Sequence, residues 1–216
     1  MKHIAVIDPG MGNLHSVRKA IEHVAPAAKV KVTSDAEEVR RADSVVFPGQ
    51  GEMGRVLGAL DSQGLREALV EATREKPFLG ICLGLEALFE FSEEGGGIPG
   101  LGLLPGRVRL FPAERMRDAT SGRTIKVPHM GWNQVHQLHA HPLWAGIAQD
   151  AHFYFVHSYY VECSDPRYVA GETEYGLRFT AAAAHENLFA LQCHPEKSSH
   201  VGLQLLRNFV AWDGSI

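Results

Sequence analysis

The chain predicts an α/β fold: a central, mostly parallel sheet flanked by helices, with an antiparallel or mixed strand portion added in the C-terminal half. Two observations carry that expectation. Through the first ninety or so residues, short apolar runs alternate with helix-forming stretches, as in parallel strands joined by crossover helices. After Glu93-Glu94-Gly95-Gly96-Gly97 the strand-like runs follow one another mostly without helices between them. A length of 216 residues suits one domain with a substantial core. No internal repeat or long linker divides it, so residues 1–216 are read as a single domain.

Taken in order, Ile4–Ile7 reads as a buried first strand, and the turn Pro9-Gly10-Met11-Gly12-Asn13 leads into a helix over Leu14–Val24. Val30–Thr33 is a second strand, followed by a short helix to Arg41 that Asp35 can cap. Ser44–Phe47 is a third strand, ended by Pro48-Gly49. A helix over Gly64–Lys76 precedes a fourth strand, Phe78–Ile81, and another helix is expected from Cys82 to about Phe91. In the second half Val108–Leu110, Thr124–Val127, Trp132–Val135, Phe153–Val161, Gly176–Ala183 and Leu188–Gln192 read as strands. A last helix over Ser199–Trp212 carries Val201, Leu205, Leu206, Phe209 and Val210 near helical spacing.

Composition narrows the function classes. Hydrophobic content of 45% and charged content of 21% are those of an ordinary globular protein. A net charge of -4 without a basic stripe gives nucleic-acid binding no electrostatic support. No apolar run reaches the length of a membrane span, and the N-terminus lacks the layout of a signal peptide. Three widely spaced cysteines argue against a disulfide framework and suit a reducing compartment, so a cytoplasmic location is expected.

Two distant segments carry the chemistry. In Gly80-Ile81-Cys82-Leu83-Gly84 a cysteine sits between glycines where a strand should turn into a helix. A buried cysteine is commonly only a small packing residue. A sharp elbow at this place, however, lifts the sulfur out at the carboxyl end of the sheet, where open α/β sheets bind ligands. A helix start there favours the thiolate and offers N–H groups to an oxyanion. In Gln192-Cys193-His194-Pro195-Glu196, alternation puts His194 and Glu196 on one side. The imidazole can move protons near neutral pH while the carboxylate holds its tautomer. Cys82, His194 and Glu196 thus form a candidate Cys–His–Glu triad for acyl transfer. Cys193 should face the other way and pack, and Cys163 has no partner pattern. His136, His139 and His141 lack the spacing and companions of a common metal site, so no metal or cofactor is assigned. The turn Pro48-Gly49-Gln50-Gly51 is read as facing the elbow, able to present an N–H to a developing oxyanion. The earlier turn does not satisfy the G-x-G-x-x-G dinucleotide pattern.

The elbow and the terminal His194-Pro195-Glu196 resemble those of the class I, triad-type glutamine amidotransferases. Four further segments (Gly10–Leu14, Val127–Asn133, Phe153–Tyr160 and His194–Ser198) are similar to those of the glutaminase subunits of imidazole glycerol phosphate synthases. The resemblance covers essentially the whole chain. It implies a flavodoxin-like amidotransferase fold and hydrolysis of glutamine to glutamate and ammonia through a cysteine thioester. It also implies that the ammonia passes to a separate cyclase subunit with a (β/α)8 barrel, held in a 1:1 heterodimer. That partner makes imidazole glycerol phosphate and an aminoimidazole carboxamide ribotide for histidine biosynthesis. The resemblance further implies Cys82 as nucleophile, His194 as acid–base and Glu196 as its orienter. The N–H groups of Leu83 and the Gly49–Gln50–Gly51 turn become oxyanion donors, and Met130, Trp132, Asn133 and Lys197 lie at the interface between subunits. The chain departs from the family at Leu85 and Glu86, where methionine and glutamine are usual. Leucine for methionine is mild. Glu86 replaces an amide donor with a carboxylate near Cys82 and is expected to weaken substrate binding or thiol activation. A docking subunit disabled by Glu86, and another triad-type glutaminase, stay open as alternatives.

Overall fold

The computed structural model describes residues 1–117 and 120–215. Its elements are β1 (His3–Ile7), α1 (Leu14–Val24), β2 (Lys29–Thr33), α2 (Ala36–Arg41), β3 (Ser44–Gly49), α3 (Met53–Ser62), α4 (Leu65–Glu75), β4 (Phe78–Cys82) and α5 (Leu83–Glu86). They continue with β5 (Phe89–Ser92), β6 (Ile98–Pro99), β7 (Leu104–Leu110), β8 (His129–Gln137), β9 (Ala151–His157), β10 (Tyr159–Cys163), β11 (Val169–Glu174), β12 (Arg178–His185), β13 (Leu188–Leu191) and α6 (Ser199–Ala211). One sheet runs in the order β2-β1-β3-β4-β13-β12-β10-β7-β5-β6, with β11, β8 and β9 branching from β12. The neighbours from β2 to β13 are parallel. Beyond β13 the pairings are antiparallel except for β5 with β7. The α/β architecture with an antiparallel C-terminal portion is therefore the one expected.

Alternation along the parallel strands builds a core on each face. Ile4, Val6, Val46, Leu79 and Ile81 cluster with Val17 and Ile21 of α1 and with Leu205, Leu206 and Phe209 of α6. Ala5, Ile7, Val45, Phe47 and Phe78 cluster on the other side with Val39 of α2, Val56 and Leu60 of α3 and Leu69 of α4. Truncating a fully buried phenylalanine such as Phe47 or Phe78 to alanine costs about 3–5 kcal/mol. Helices α1 and α2 begin on side-chain caps. Asp35 accepts the Glu37 N–H at 2.9 Å, as expected, and Asn13 accepts that of Ser16 at 3.3 Å.

Several expectations are corrected. The helix foreseen from Cys82 to Phe91 stops at Glu86, and β5 follows. The carbonyls that would continue it are taken by a returning segment. Ala87 O accepts from Leu101 N–H and Leu88 O from Leu103 N–H, each at 2.8 Å. Thr124–Val127 is no strand: only Thr124 pairs, in an isolated bridge with Arg117, and the Tyr175 hydroxyl takes the Lys126 carbonyl. Phe153–Val161 divides at Ser158 into β9 and β10, and β11 was not foreseen. Nor was α3, whose Gly54 and Gly58 lower helix propensity while Met53, Val56, Leu57 and Leu60 form a buried stripe that overrides it. The third strand runs on through Pro48 and Gly49. Its pairing with β1 ends at Val46, so the missing proline N–H breaks no ladder bond with β1.

Candidate active site

The carboxyl ends of β3, β4 and β13 lie side by side. Gly49 pairs with Cys82 and Leu191 with Ile81, so Gln192 and His194 leave the sheet next to the cysteine. Cys82 ends β4 at φ 55°, a left-handed conformation costing a non-glycine residue about 1–3 kcal/mol. The flanking glycines let the chain turn so tightly. A Cβ on Gly80 would come 2.8 Å from both the Ala190 Cβ and the Gly84 carbonyl oxygen, and one on Gly84 would overlap the Phe47 carbonyl oxygen. The expected elbow is present, but α5 has only four residues. Its dipole is correspondingly small, leaving its first N–H groups as the relevant donors.

Across from the elbow, His194 Nδ1 stands 2.8 Å from Glu196 Oε1, with both side chains almost completely buried. The loop carrying them is stitched to β9. His194 N–H donates to Tyr154 O at 2.8 Å, and Ser198 Oγ accepts from Tyr154 N–H at 2.9 Å while donating to His194 O at 2.6 Å. The carboxylate requires the Nδ1–H form, which leaves Nε2, without a hydrogen-bond partner of good geometry, in the cleft that Cys82 also lines. Burial opposes an imidazolium here. The Cys82 sulfur and the Glu196 carboxylate outweigh it and raise the His194 pKa to about 10.

The cleft measures about 430 Å³, a size suited to a small metabolite. Gln50, Gly51 and Leu83 line it beside Cys82. Gly49 abuts the elbow so closely that a Cβ there would meet the Leu83 Cβ at 2.9 Å. Glu86 lines the same cleft and is buried, with Oε1 accepting from Gln192 Nε2 at 2.8 Å; the same nitrogen lies 3.9 Å from Cys82 Sγ. Burial above all, with Glu94 adding to it, raises Glu86 to about 7 despite the bond from Gln192 and the charge of His194, which act the other way. Glu86 is therefore not a plain anion beside the sulfur at neutral pH.

Gln192 and His157 are two contributors that no sequence pattern singled out. The i, i+2 spacing of His194 and Glu196 also points to Gln192, two residues before His194, although Glu196 is carried by the 3-10 turn Pro195–Lys197 and not by the strand alternation expected. His157 forms part of the cleft wall and starts a buried chain of hydrogen bonds. Its Nδ1–H donates to Tyr159 O at 2.6 Å, so its Nε2 accepts from His129 Nδ1 at 2.9 Å. His129 Nε2 in turn accepts from Asn133 Nδ2 at 3.3 Å. Burial lowers His157 to about 4 and His129 to about 3, consistent with two neutral rings. Nothing in the sequence brings these histidines together, because the contact depends on the β8–β9 register that pairs residue 129 with 157.

Of the four residues expected at an interface, Lys197 lines the cleft, whereas Met130, Trp132 and Asn133 lie on β8 beside a separate hollow. Met130 and Trp132 are the exposed large apolar side chains of β8, at 62% and 52% exposure. Trp132 meets the Tyr154 ring edge-on at 6.1 Å, and Lys197, which lines the cleft, sits 5.9 Å from the same ring. Asn133 is turned toward His129 and donates to Glu174 O at 2.9 Å. His136, His139 and His141 do not converge. His136 faces Asp150 at 2.8 Å, whereas His141 is buried between Phe189 and Trp212. Among the described residues no cluster has the geometry to hold a metal ion. Cys193 is buried, with burial pushing its thiol pKa well up, as suits a packing residue. A sulfur on a strained elbow, a buried imidazole held by a carboxylate and backbone N–H groups around one cleft can together form and hydrolyse an acyl-cysteine.

The family model described as "Glutamine amidotransferase class-I" matches residues 5–212. The chain belongs to the class-I glutamine amidotransferase family. It is 58% identical over 212 residues to "Imidazole glycerol phosphate synthase subunit HisH" of Nitrosomonas europaea, covering 98% of this chain and 99% of that protein. It is 53% identical over 214 residues to "Imidazole glycerol phosphate synthase subunit HisH 1" of Pseudomonas aeruginosa, covering 99% of each. Among solved structures, PurLQS from Thermotoga maritima matches with a TM-score of 0.71 at 16% identity, covering 97% of this chain and 98% of that one. A putative GMP synthase protein from Thermoplasma acidophilum matches with a TM-score of 0.68 at 20% identity, covering 98% and 93%. These structural likenesses place the sheet and its helices in the amidotransferase fold.

Proposed function

We propose that the chain is the glutaminase subunit of an imidazole glycerol phosphate synthase and that Cys82, His194 and Glu196 carry its reaction. One observation supports this most directly: Cys82 on its elbow shares a cleft with His194, which is joined to Glu196 at 2.8 Å. In the reaction the Cys82 sulfur attacks the side-chain amide carbon of glutamine, forming an S–C bond. The carbonyl electrons move onto oxygen, which the N–H groups of Leu83 and the Gly49–Gln50–Gly51 turn stabilise. His194 takes the thiol proton and delivers it to the departing nitrogen, releasing ammonia as the C–N bond breaks. Water, deprotonated by His194, then attacks the thioester, and the C–S bond breaks to give glutamate and the restored thiol.

Ammonia made in this way serves a cyclase partner. The Met130–Trp132 face, continuous with the cleft mouth through Tyr154 and Lys197, is the surface we assign to that partner, a (β/α)8 barrel bound 1:1. The three free cysteines accord with a cytoplasmic location, and among the described residues no helix is long and apolar enough to cross a membrane. The test is glutamate release from glutamine by the chain alone and with a cyclase partner loaded with its nucleotide ligand. Release that depends on the partner and vanishes in Cys82→Ala is expected. A stoichiometric complex without release would show a docking subunit instead, and no complex at all would remove the synthase assignment.

A further inference from the structure

Gln192 has no role in the reaction just described, yet it occupies a decisive place. Its side chain is fully buried directly after β13. The amide nitrogen donates to Glu86 Oε1 at 2.8 Å and lies 3.9 Å from Cys82 Sγ, so one NH2 group stands between a carboxylate and the nucleophile. The amide oxygen is buried with no hydrogen-bond partner, so nothing anchors the group from its other end. We propose that Gln192 is a positioning residue that divides its amide N–H groups between Glu86 and Cys82, so that the charge on Glu86 sets how well the Cys82 thiolate is held. The proposal rests on Cys82 being the nucleophile of the glutaminase reading.

The physics is a competition for the position of one NH2 group, 2.8 Å from the carboxylate and 3.9 Å from the sulfur. An ionised carboxylate makes the shorter, charge-assisted bond and draws the amide toward itself, leaving the sulfur a long contact. The same carboxylate adds a negative charge beside a thiolate, which disfavours it further. Protonated, Glu86 loses both effects, and the amide is released toward the sulfur. The groups facing Glu86 set where this happens. Glu94, on the turn before β6, opposes ionisation, while His194, after β13, favours it. Tyr159, at the start of β10, senses the Glu86 charge, and His157 and Lys197 line the same cleft. Burial is the largest influence and brings the Glu86 titration to about 7, near neutral pH.

The test reads the thiolate directly, without requiring turnover. The rate of Cys82 alkylation by iodoacetamide is followed from pH 5.5 to 9 by mass spectrometry of the cysteine peptides in the full-length protein. The natural chain should show an inflection near pH 7 that follows the charge on Glu86. Glu86→Gln should abolish that inflection and raise the rate at pH 8 by up to about tenfold, since a like charge beside the thiolate is gone. Gln192→Met, close in volume but without an amide, should move the inflection upward, because the bond that lowers the Glu86 pKa is gone, and should slow alkylation at pH 6. If that variant does not fold, Gln192→Asn, which withdraws the amide by one methylene, must shift the inflection in the same direction. An inflection lost in Glu86→Gln but unmoved by Gln192 substitution would mean that the charge acts through space, and the role of Gln192 would be overturned. Identical curves for all variants would overturn the whole device. A Cys82 that resists alkylation in every variant, while Cys163 reacts, would overturn the nucleophile reading beneath it.

Discussion

Glu196 acts on the chemistry through one 2.8 Å hydrogen bond, because its carboxylate reaches His194 Nδ1 and not the cleft occupied by Cys82. Replacing it by glutamine keeps the volume but removes the charge that favours the imidazolium, and an amide that can donate as well as accept no longer fixes the Nδ1–H tautomer. Glu196→Gln is therefore expected to lower kcat of the partner-activated enzyme by roughly 10²–10⁴-fold with KM little changed. The His194 pKa should fall, since Glu196 is one of the groups that raise it. Steady-state kinetics and an NMR titration of the imidazole check both halves, and an unchanged pKa would remove the carboxylate from its assigned part. The three triad side chains were legible in the sequence because two short patterns, a glycine-flanked cysteine and an i, i+2 His/Glu pair, express local geometry. Gln192 shares the second pattern but has no titrating group to draw notice. The relation of His157 to His129 is set by strand pairing between distant segments, which no local pattern encodes.

At the scale of elements, the elbow exists because β4 can turn back on β3 and β13 at close range. Gly84 permits this most directly, since a side chain there would overlap the Phe47 carbonyl oxygen on the neighbouring strand. Gly84→Ala must push α5 away from β3 and with it the Cys82 sulfur. It is expected to destabilise the fold by about 1–3 kcal/mol, as overpacking does, and to reduce activity by more than the loss of folded protein explains. Urea denaturation together with the activity of the folded fraction separates these effects; native stability with full activity would contradict the packing argument. The parallel strands of the first half were legible because their runs are apolar throughout and bounded by glycine, proline and helix caps. What followed Glu86 was not. Ala87-Leu88-Phe89-Glu90-Phe91 has good helix formers, and the N–H groups of 100–104, arriving from farther along the chain, claim its carbonyls for other partners. Likewise α3 was hidden by its two glycines and is held by the face that it buries.

For the molecule as a whole, the buried titrating groups set its response to acid. His129, His141 and His157 have folded-state pKa values lowered by burial to about 3, 4 and 4. Unfolded, each takes up a proton near pH 6.5, so between about pH 6.5 and 4 the unfolded state binds more protons and stability falls as pH falls. Glu86 acts in the opposite sense: raised to about 7, it holds a proton in the native state down to the pH at which an unfolded glutamate also binds one. Three histidines against one carboxyl leave a net uptake on unfolding of up to about two protons near pH 5.5, a loss of up to about 2.7 kcal/mol per pH unit. The urea midpoint should therefore drop steeply between pH 6 and 5, before most exposed carboxylates titrate. His141 offers a check remote from the triad, since it packs on Phe189 and Trp212 and accepts the Leu143 N–H at 3.1 Å. Asparagine can make the same cap, so His141→Asn should keep the fold at some loss of packing and flatten the pH slope by up to about 1.4 kcal/mol per unit. A midpoint that does not move between pH 6 and 5, or a slope unaltered in His141→Asn, would mean that these rings are not held neutral by the fold.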